Sequence, residues 1–192
     1  METVGRRERK KARTRQALSE AAMELFLERG YDNVTVAEIA TAADTALATV
    51  FKHFPDGKES LIFDDGSERT AAVVAAVRDR APGQSVLGAL REFLSARGPF
   101  RRDAPPGFRR KTELISGTPA LRQYQVKLWL RGRDALAEAI AAETGRAGDD
   151  IAIRALARYV LEIPDLAGSE PDPHAALDAV FDLLEHGWRE SP

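Results

Sequence analysis

Apolar residues recur at three- and four-residue spacing along most of this chain, a period typical of amphipathic helices. The first stripe consists of Leu18, Ala21, Ala22, Leu25 and Phe26. It stops at Gly30, a residue that often ends helices because it tolerates positive φ. The pattern predicts a first helix from about Glu8 to Arg29.

Two short helices are predicted next. Thr35, followed three residues later by Glu38, forms the sequence pattern of a capping box and marks a helix start. The apolar positions of this second helix are Val36, Ile39, Ala40 and Ala43. Asp44 and Thr45 interrupt the period, which resumes at Leu47, Val50, Phe51 and Phe54 until Pro55. Helices two and three are therefore joined by a tight turn.

Beyond Lys58 the pattern stays helical, and no alternating strand pattern competes with it. Thr118 before Pro119 and Asp172 before Pro173 have the form of helix starts, with a capping residue before proline. One long, largely apolar helix is expected from Pro119 to about Glu143. The predicted fold class is all-α with about nine helices.

Composition narrows the function classes. The 192 residues are 44% hydrophobic and 30% charged, which is typical of a folded globular protein. The absence of cysteine excludes disulfides, thiolate zinc sites and cysteine nucleophiles. Met1 to Lys11 lacks the apolar core of a signal peptide, and no stretch is long enough to span a bilayer. We expect a cytoplasmic protein without a membrane partner, metal or cofactor.

The charge distribution matters more than the formal net charge of -2. The first twenty residues contain three acids and the positive residues Arg6, Arg7, Arg9, Lys10, Lys11, Arg13 and Arg15. Such a run is either a solvated tail or a phosphate-binding segment. The residues that follow it favour the second interpretation.

Several residue pairs of the three N-terminal helices form a recognisable set. They are Ala21-Ala22, Leu25-Phe26, Gly30-Tyr31, Thr35-Val36, Ile39-Ala40, Thr49-Val50-Phe51, His53-Phe54 and Lys58-Glu59 with Leu61. Through them the segment Ala17 to Leu61 resembles the DNA-binding domain of the TetR family along its full length. The resemblance implies a helix-turn-helix domain at residues 1–57 and a helical ligand-binding and dimerisation domain at 58–192.

Under this resemblance helix three enters the major groove and the basic N-terminal arm adds affinity. Thr49, Leu47 and Ala48 would contact base edges, whereas Lys52, His53 and Lys58 would position the helix on phosphates. The predicted DNA-contacting residues are Arg6, Arg7, Arg9, Lys10, Lys11, Arg13, Thr35, Leu47, Ala48, Thr49, Phe51, Lys52, His53 and Lys58.

The turn before helix three departs from the family pattern of glycine, a buried aliphatic residue and serine. This chain has Asp44, Thr45 and Ala46, so we expect Asp44 or Thr45 to cap helix three instead. Phe51 stands where tyrosine is commoner, which removes a hydroxyl that often touches phosphate in the family. One extra residue, Gly57 or its neighbour, precedes the Lys58-Glu59 pair.

The resemblance also places a ligand cavity among helices four to seven. Candidate lining residues are Phe63, Leu94, Phe108, Leu114, Tyr124, Leu128 and Trp129. The segment Arg109 to Leu136 resembles family members assigned to acyl-CoA-like ligands. An acyl tail would then occupy the cavity, and the basic residues Arg101, Arg102, Arg109, Arg110 and Lys111 would meet the phosphates. Core packing and a solvated basic loop are the alternatives.

The last two predicted helices are too apolar for the surface of a monomer. In the family these helices pair with their symmetry mates to form a dimer. The predicted interface residues are Ile153, Leu156, Val160, Leu177, Val180, Phe181, Leu184 and Trp188.

The resulting prediction is a homodimeric transcriptional regulator, a repressor released from operator DNA by a small molecule, with an acyl-CoA as one candidate. An all-α enzyme is the first rival. It lacks support because His53, His174 and His186 lie far apart with no HExxH spacing, and no nucleophile or phosphate-loop motif occurs. The second rival is a helical ligand-binding or scaffolding module with a degenerate helix-turn-helix.

Overall fold

The computed structural model describes residues 5–188, and within that range every regular element is helical. Residues 1–4 of the predicted DNA-binding domain and residues 189–192 of the predicted C-terminal domain lie outside the described residues. The α-helices are α1 (Arg6–Arg29), α2 (Val36–Ala42), α3 (Leu47–His53), α4 (Ser67–Arg78), α5 (Val86–Ser95), α6 (Pro106–Gly117), α7 (Pro119–Leu130), α8 (Arg133–Thr144), α9 (Ile151–Leu166) and α10 (Pro173–His186). Two short 3-10 segments cover Lys58–Ile62 and Gly98–Phe100. The all-α prediction is confirmed.

Helix starts follow the predicted caps at two places. The Thr35 side chain accepts a hydrogen bond from the Glu38 backbone N–H, and the Glu38 carboxylate accepts one from the Thr35 N–H, which completes the capping box of α2. The Asp172 side chain caps α10 through the N–H groups of His174 and Ala175. Local side-chain chemistry thus sets where these helices begin.

The prediction of a single helix from Pro119 to Glu143 is wrong, because this segment forms two helices, α7 and α8, which are separated at Arg131 and Gly132. Gly132 lies against Thr70 of α4, so closely that a Cβ there would come within 2.8 Å of the threonine hydroxyl. The glycine allows α4 to approach this break. The two final helices are consequently α9 and α10.

The buried side chains form two clusters. The first fills the space between α1, α2 and α3 and also takes in Leu61, Ile62 and Phe63, with Ile115, Leu121 and Leu128 from α6 and α7. The second cluster contains side chains from α4, α5, α7, α8, α9 and α10. Helices α6 and α7 therefore contribute side chains to the core of the N-terminal helices, which places them between the two parts of the molecule.

Within residues 5–188, no helix combines the length and the apolar character that crossing a membrane requires.

Candidate DNA interface and effector cavity

Helix α3 has one inward and one outward face. Val50 is buried against α1 and α2, whereas Leu47 and Phe51 are 44% and 53% exposed. Ala48 and Lys52 share the outward face, and Thr49 is partly exposed beside it. Large exposed apolar side chains next to a cation on a short helix are typical of a contact surface. The outward positions are those that the sequence assigned to DNA.

The turn between α2 and α3 corrects the expected cap. Ala46 occupies the N-cap position of α3, and within residues 5–188 no side-chain cap hydrogen bond forms there. Asp44 instead adopts a φ of 49°, in the left-handed region that glycine favours. Asp44 therefore forms part of the turn between α2 and α3 and does not cap α3.

The basic N-terminal residues belong to α1. Helix α1 begins at Arg6, so the expected arm is already helical, and its six predicted cations are exposed. Arg15, further along, turns inward: its Nη1 donates to the carbonyl oxygen of His53 at 2.8 Å, and its guanidinium lies 4.3 Å from the centre of the Phe54 ring. Arg15 was not predicted as a site residue, yet it attaches α1 to the C-terminal end of α3.

His53 lies where these positive charges converge. Partial burial lowers the pKa of its imidazole, and Lys11, Lys52 and Arg15 lower it further. Its Nδ1 is buried and has no hydrogen-bond partner among residues 5–188. The start of α1 and the end of α3 therefore form one continuous positive region, of the kind that phosphates bind.

Thr35 and Lys58 have contacts within the protein. The Thr35 hydroxyl donates to the Glu38 carboxylate at 2.7 Å, and the hydrogen bonds from Thr35 lower the pKa of Glu38. The Lys58 ammonium donates to the carbonyl oxygens of Tyr31 at 2.6 Å and Val34 at 2.8 Å. Burial lowers the pKa of this ammonium. Lys58 thus stabilises the turn after α1.

A cavity of about 470 Å³ lies between α4, α6 and α7, and Pro164 of α9 and the residues Arg97, Gly98 and Pro99 beyond α5 also line it. Three of the predicted ligand residues line it, namely Phe63, Phe108 and Trp129. The other four do not: Leu94 and Leu128 are core residues, while Leu114 and Tyr124 pack on the first cluster. The sequence pattern could not separate these roles, because buried core and cavity walls use the same apolar residues.

The predicted basic cluster is dispersed. Of its five members only Lys111 lines the cavity. Arg101 and Arg109 line an adjoining cleft, and Arg110 faces a groove between α1 and α6. Arg102 lies in a further cleft near α10. The expectation that all five side chains meet one head group is therefore wrong.

Four of the predicted dimer residues are also reassigned. Ile153, Val160, Leu177 and Phe181 are buried in the second core cluster of the protomer. Leu156, Val180 and Leu184 are partly buried, and Trp188 is 77% exposed. The sequence pattern predicts that these residues of α9 and α10 face a partner subunit. In the structure, however, α9 packs on α7 and α8, and α10 packs on α5. The outward apolar surface includes Ile151, Leu166 and Leu183.

Two family models match the chain. Residues 18–64 match the model of bacterial regulatory proteins of the tetR family, and residues 84–189 match the MftR C-terminal domain. The chain belongs to the TetR family. The predicted DNA-binding, ligand-responsive transcriptional regulator is thereby confirmed at the level of the family.

Curated relatives agree with this assignment. The TetR-family chain is 37% identical to the transcriptional regulator TcmR of Streptomyces glaucescens over 134 residues, which are 70% of the chain and 55% of TcmR. It is 26% identical over 190 residues to MftR of Mycobacterium tuberculosis, a mycofactocin biosynthesis transcriptional regulator, covering 96% of the chain and 94% of MftR. These relatives are regulators rather than enzymes.

Solved structures share the fold. GusR of Salmonella enterica superposes with a TM-score of 0.57 at 20% identity, covering 91% of this chain and 94% of GusR. FadR of Thermus thermophilus, a TetR-family repressor in complex with lauroyl-CoA, gives 0.53 at 24% identity, covering 93% and 97%. At these identities the likeness concerns the fold alone.

Proposed function

We propose that this TetR-family regulator is a homodimeric repressor that binds operator DNA through α3 and the start of α1, and that a small molecule in the α4–α6–α7 cavity releases it. The observation that carries the proposal is the outward face of α3, where exposed Leu47 and Phe51 adjoin Lys52. A short helix gains nothing from exposing two large apolar side chains in water unless a partner covers them.

On DNA, Leu47 and Ala48 would offer apolar contact to thymine methyl groups, with Thr49 as the only hydrogen-bonding base reader among the three. Lys52, His53 and the exposed cations of α1 would hold phosphates. We assign most of the affinity to these charges and the limited base discrimination to the start of α3. We propose that residues 1–57 form the DNA-binding unit, although Leu61 and Ile62 also fill its core.

The effector is proposed to bind the cavity because its volume lies within the range of roughly 300–1,000 Å³ common for small-molecule sites. Phe63 and Ile115 line the cavity and also belong to the core that includes α1 to α3. A ligand that moves them favours a conformation with weaker DNA affinity. An acyl-CoA is one candidate, since FadR of similar fold carries lauroyl-CoA.

Dimerisation is proposed through the outward faces of α9 and α10, with Leu156, Val180, Leu184 and Trp188 at the contact. Two α3 helices must reach successive major grooves, about 34 Å apart, so release requires only that this separation change.

The test is fluorescence anisotropy of the full chain with DNA from upstream of its own gene, at a low and a moderate salt concentration. We expect binding at low salt that weakens at higher salt and is reversed by lauroyl-CoA. Absence of any complex at low salt would overturn the regulator proposal. Indifference to lauroyl-CoA would overturn the acyl-CoA candidate alone.

The second candidate is a helical ligand-binding or scaffolding module that no longer binds DNA. The uncapped start of α3 and the missing hydroxyl at Phe51 favour it. The same titration separates the two, because such a module would bind lauroyl-CoA or another ligand without binding DNA.

A further inference from the structure

One wall of the effector cavity carries a guanidinium group whose hydrogen bonds are incomplete. Arg69 lies on α4 with a side chain only 20% exposed, and its Nη2 is 3.3 Å from the Asp64 carboxylate. Its Nη1 is buried and has no partner within the described part of the chain. The guanidinium lies 5.1 Å from the centre of the ring of Trp129, which lines the same cavity.

A second cation lines the same cavity. Lys111, on α6, is partly buried and forms no salt bridge with any residue from 5 to 188. Burial lowers the pKa of its ammonium, Asp64 raises it, and Arg69 lowers it again. Arg69 and Lys111 thus line the same cavity with like charge, and the Asp64 carboxylate beside Arg69 is more than half exposed.

The other charged lining residues do not satisfy this pair. Glu68 is exposed, and Arg97 donates to the carbonyl oxygen of Phe93 at 2.9 Å while covering the Phe93 ring. A buried donor without an acceptor is costly, and buried cations are normally paired. An oxyanion in the cavity would supply the missing negative charge, because its oxygens can accept hydrogen bonds from a guanidinium and an ammonium at once.

The remaining walls are mostly apolar, with Thr112, Ser116 and Gln125 as the polar exceptions. Phe63, Pro99, Phe108, Ile115 and Trp129 surround the space next to the two cations. A ligand that fills this cavity must therefore have an apolar body and one acidic end. A purely apolar ligand would leave the charges of Arg69 and Lys111 without a counter-ion in the cavity, and a purely ionic one would leave the aromatic walls uncovered.

We infer that the effector is an amphipathic anion whose acidic group binds between Arg69 and Lys111 and whose apolar body packs on Phe63, Phe108 and Trp129. This inference rests on the proposed effector site and names its ligand class. The acidic group is a carboxylate or a phosphate, since both offer the same oxygen geometry.

Lys111 also connects the cavity to the DNA-binding helices. It lines the groove between α1 and α6, whose opposite wall carries Glu20, Glu24 and Glu28. An anion that draws Lys111 into the cavity removes a positive charge from this groove. The contact between α6 and α1 then changes, which links ligand charge to the position of α1.

The test measures binding of dodecanoate, dodecanol and lauroyl-CoA to the full chain through Trp129 and Trp188 fluorescence and by calorimetry. If the acid is a carboxylate, dodecanoate binds at least about tenfold more tightly than dodecanol. If it is a phosphate, lauroyl-CoA binds and dodecanoate does not. In either case Arg69→Gln and Lys111→Gln weaken the anionic probe about tenfold or more and leave dodecanol unchanged.

Two further variants keep the test decisive. Arg69→Lys retains the charge and should retain part of the preference for the anion, and a thermal melt of each variant reports folding. Arg110→Gln removes the neighbouring cation outside the cavity and should have no effect. The inference would be overturned if neither dodecanoate nor lauroyl-CoA binds more tightly than dodecanol, if the anionic probe is insensitive to Arg69→Gln, or if all three probes fail. Operator binding by the same preparation would leave the regulator proposal intact.

Discussion

The Tyr124 hydroxyl donates a hydrogen bond to the Asp56 carboxylate across 3.2 Å and so joins α7 to the loop that follows α3. Arg131, just beyond α7, donates to the same carboxylate at 3.3 Å. Burial raises the pKa of Tyr124 and Asp56 raises it further, so the phenol stays protonated and remains a donor at neutral pH. The Tyr124 ring packs on Phe63, a cavity residue, at 5.6 Å between centroids.

These contacts predict that Tyr124 transmits the effector signal. Tyr124→Phe removes the hydrogen bond and keeps the ring, so operator affinity without effector should change little. Since one such bond contributes about 1 kcal/mol, the factor by which the effector weakens DNA binding should fall about fivefold. Anisotropy titrations with and without effector measure this factor. Tyr159→Phe on α9 is the control, and an equal loss in both variants would contradict the assignment.

The uncapped start of α3 predicts a stabilising substitution. Ala46 has the extended backbone, φ −76° and ψ 144°, that an N-cap residue requires. Ala46→Ser supplies the missing acceptor and should raise the free energy of unfolding by about 1 kcal/mol. Urea unfolding followed by circular dichroism measures the change. Ala42→Ser, at the exposed last position of α2, should be neutral or slightly destabilising, and an equal gain there would argue against capping.

Sequence periodicity predicted the helices well where a local signal exists. The capping box at Thr35 and the Asp172 cap marked helix starts that the structure confirms. Other boundaries go with contacts between residues distant in sequence. At the break between α7 and α8, Gly132 lies against Thr70, which is 62 positions away along the chain. Apolar spacing alone also could not show that Phe181 faces its own protomer. Arg69 carried no sequence signal, because its importance lies in a missing partner.

The dimer assignment predicts opposite outcomes for two neighbouring residues of α10. Leu183 is 37% exposed on the outward apolar surface, next to Leu184 of the proposed contact, so Leu183→Glu should leave the fold intact and shift the protein to monomers by placing a charge beside that contact. Phe181 is fully buried, so Phe181→Ala should cost about 3–5 kcal/mol of stability instead. Light scattering and thermal melts separate the two effects. A Leu183→Glu variant that remains dimeric would refute this surface.

His53 predicts how operator binding depends on pH. Its lowered pKa keeps the imidazole neutral in the free protein near neutrality, and a nearby phosphate would favour the charged form. Each protomer would then take up a proton on binding, so operator affinity should rise as pH falls towards 6, by at most about tenfold per pH unit for each of the two protomers. For folding of the free protein the lowered pKa of His53 acts in the opposite direction. The unfolded chain takes up the proton more readily, so the free energy of unfolding falls as the pH is lowered. His53→Gln should flatten the binding profile; a slope that survives it belongs to another group.

Lys52 predicts a change in salt dependence rather than in sequence preference. It is exposed at the end of α3 beside His53, where its ammonium can neutralise one phosphate. Lys52→Ala should therefore weaken binding to specific and unrelated DNA alike. It should also reduce the slope of log affinity against log salt by about 0.9 for each protomer, or about 1.8 for the dimer. Arg78→Ala removes an exposed cation at the end of α4, far along the chain from α3, and should leave that slope unchanged. Lys52→Ala could instead alter discrimination among operator variants while leaving the salt slope constant. Lys52 would then read bases, and the assignment of phosphate binding to Lys52 and of base contacts to Leu47 to Thr49 would be wrong.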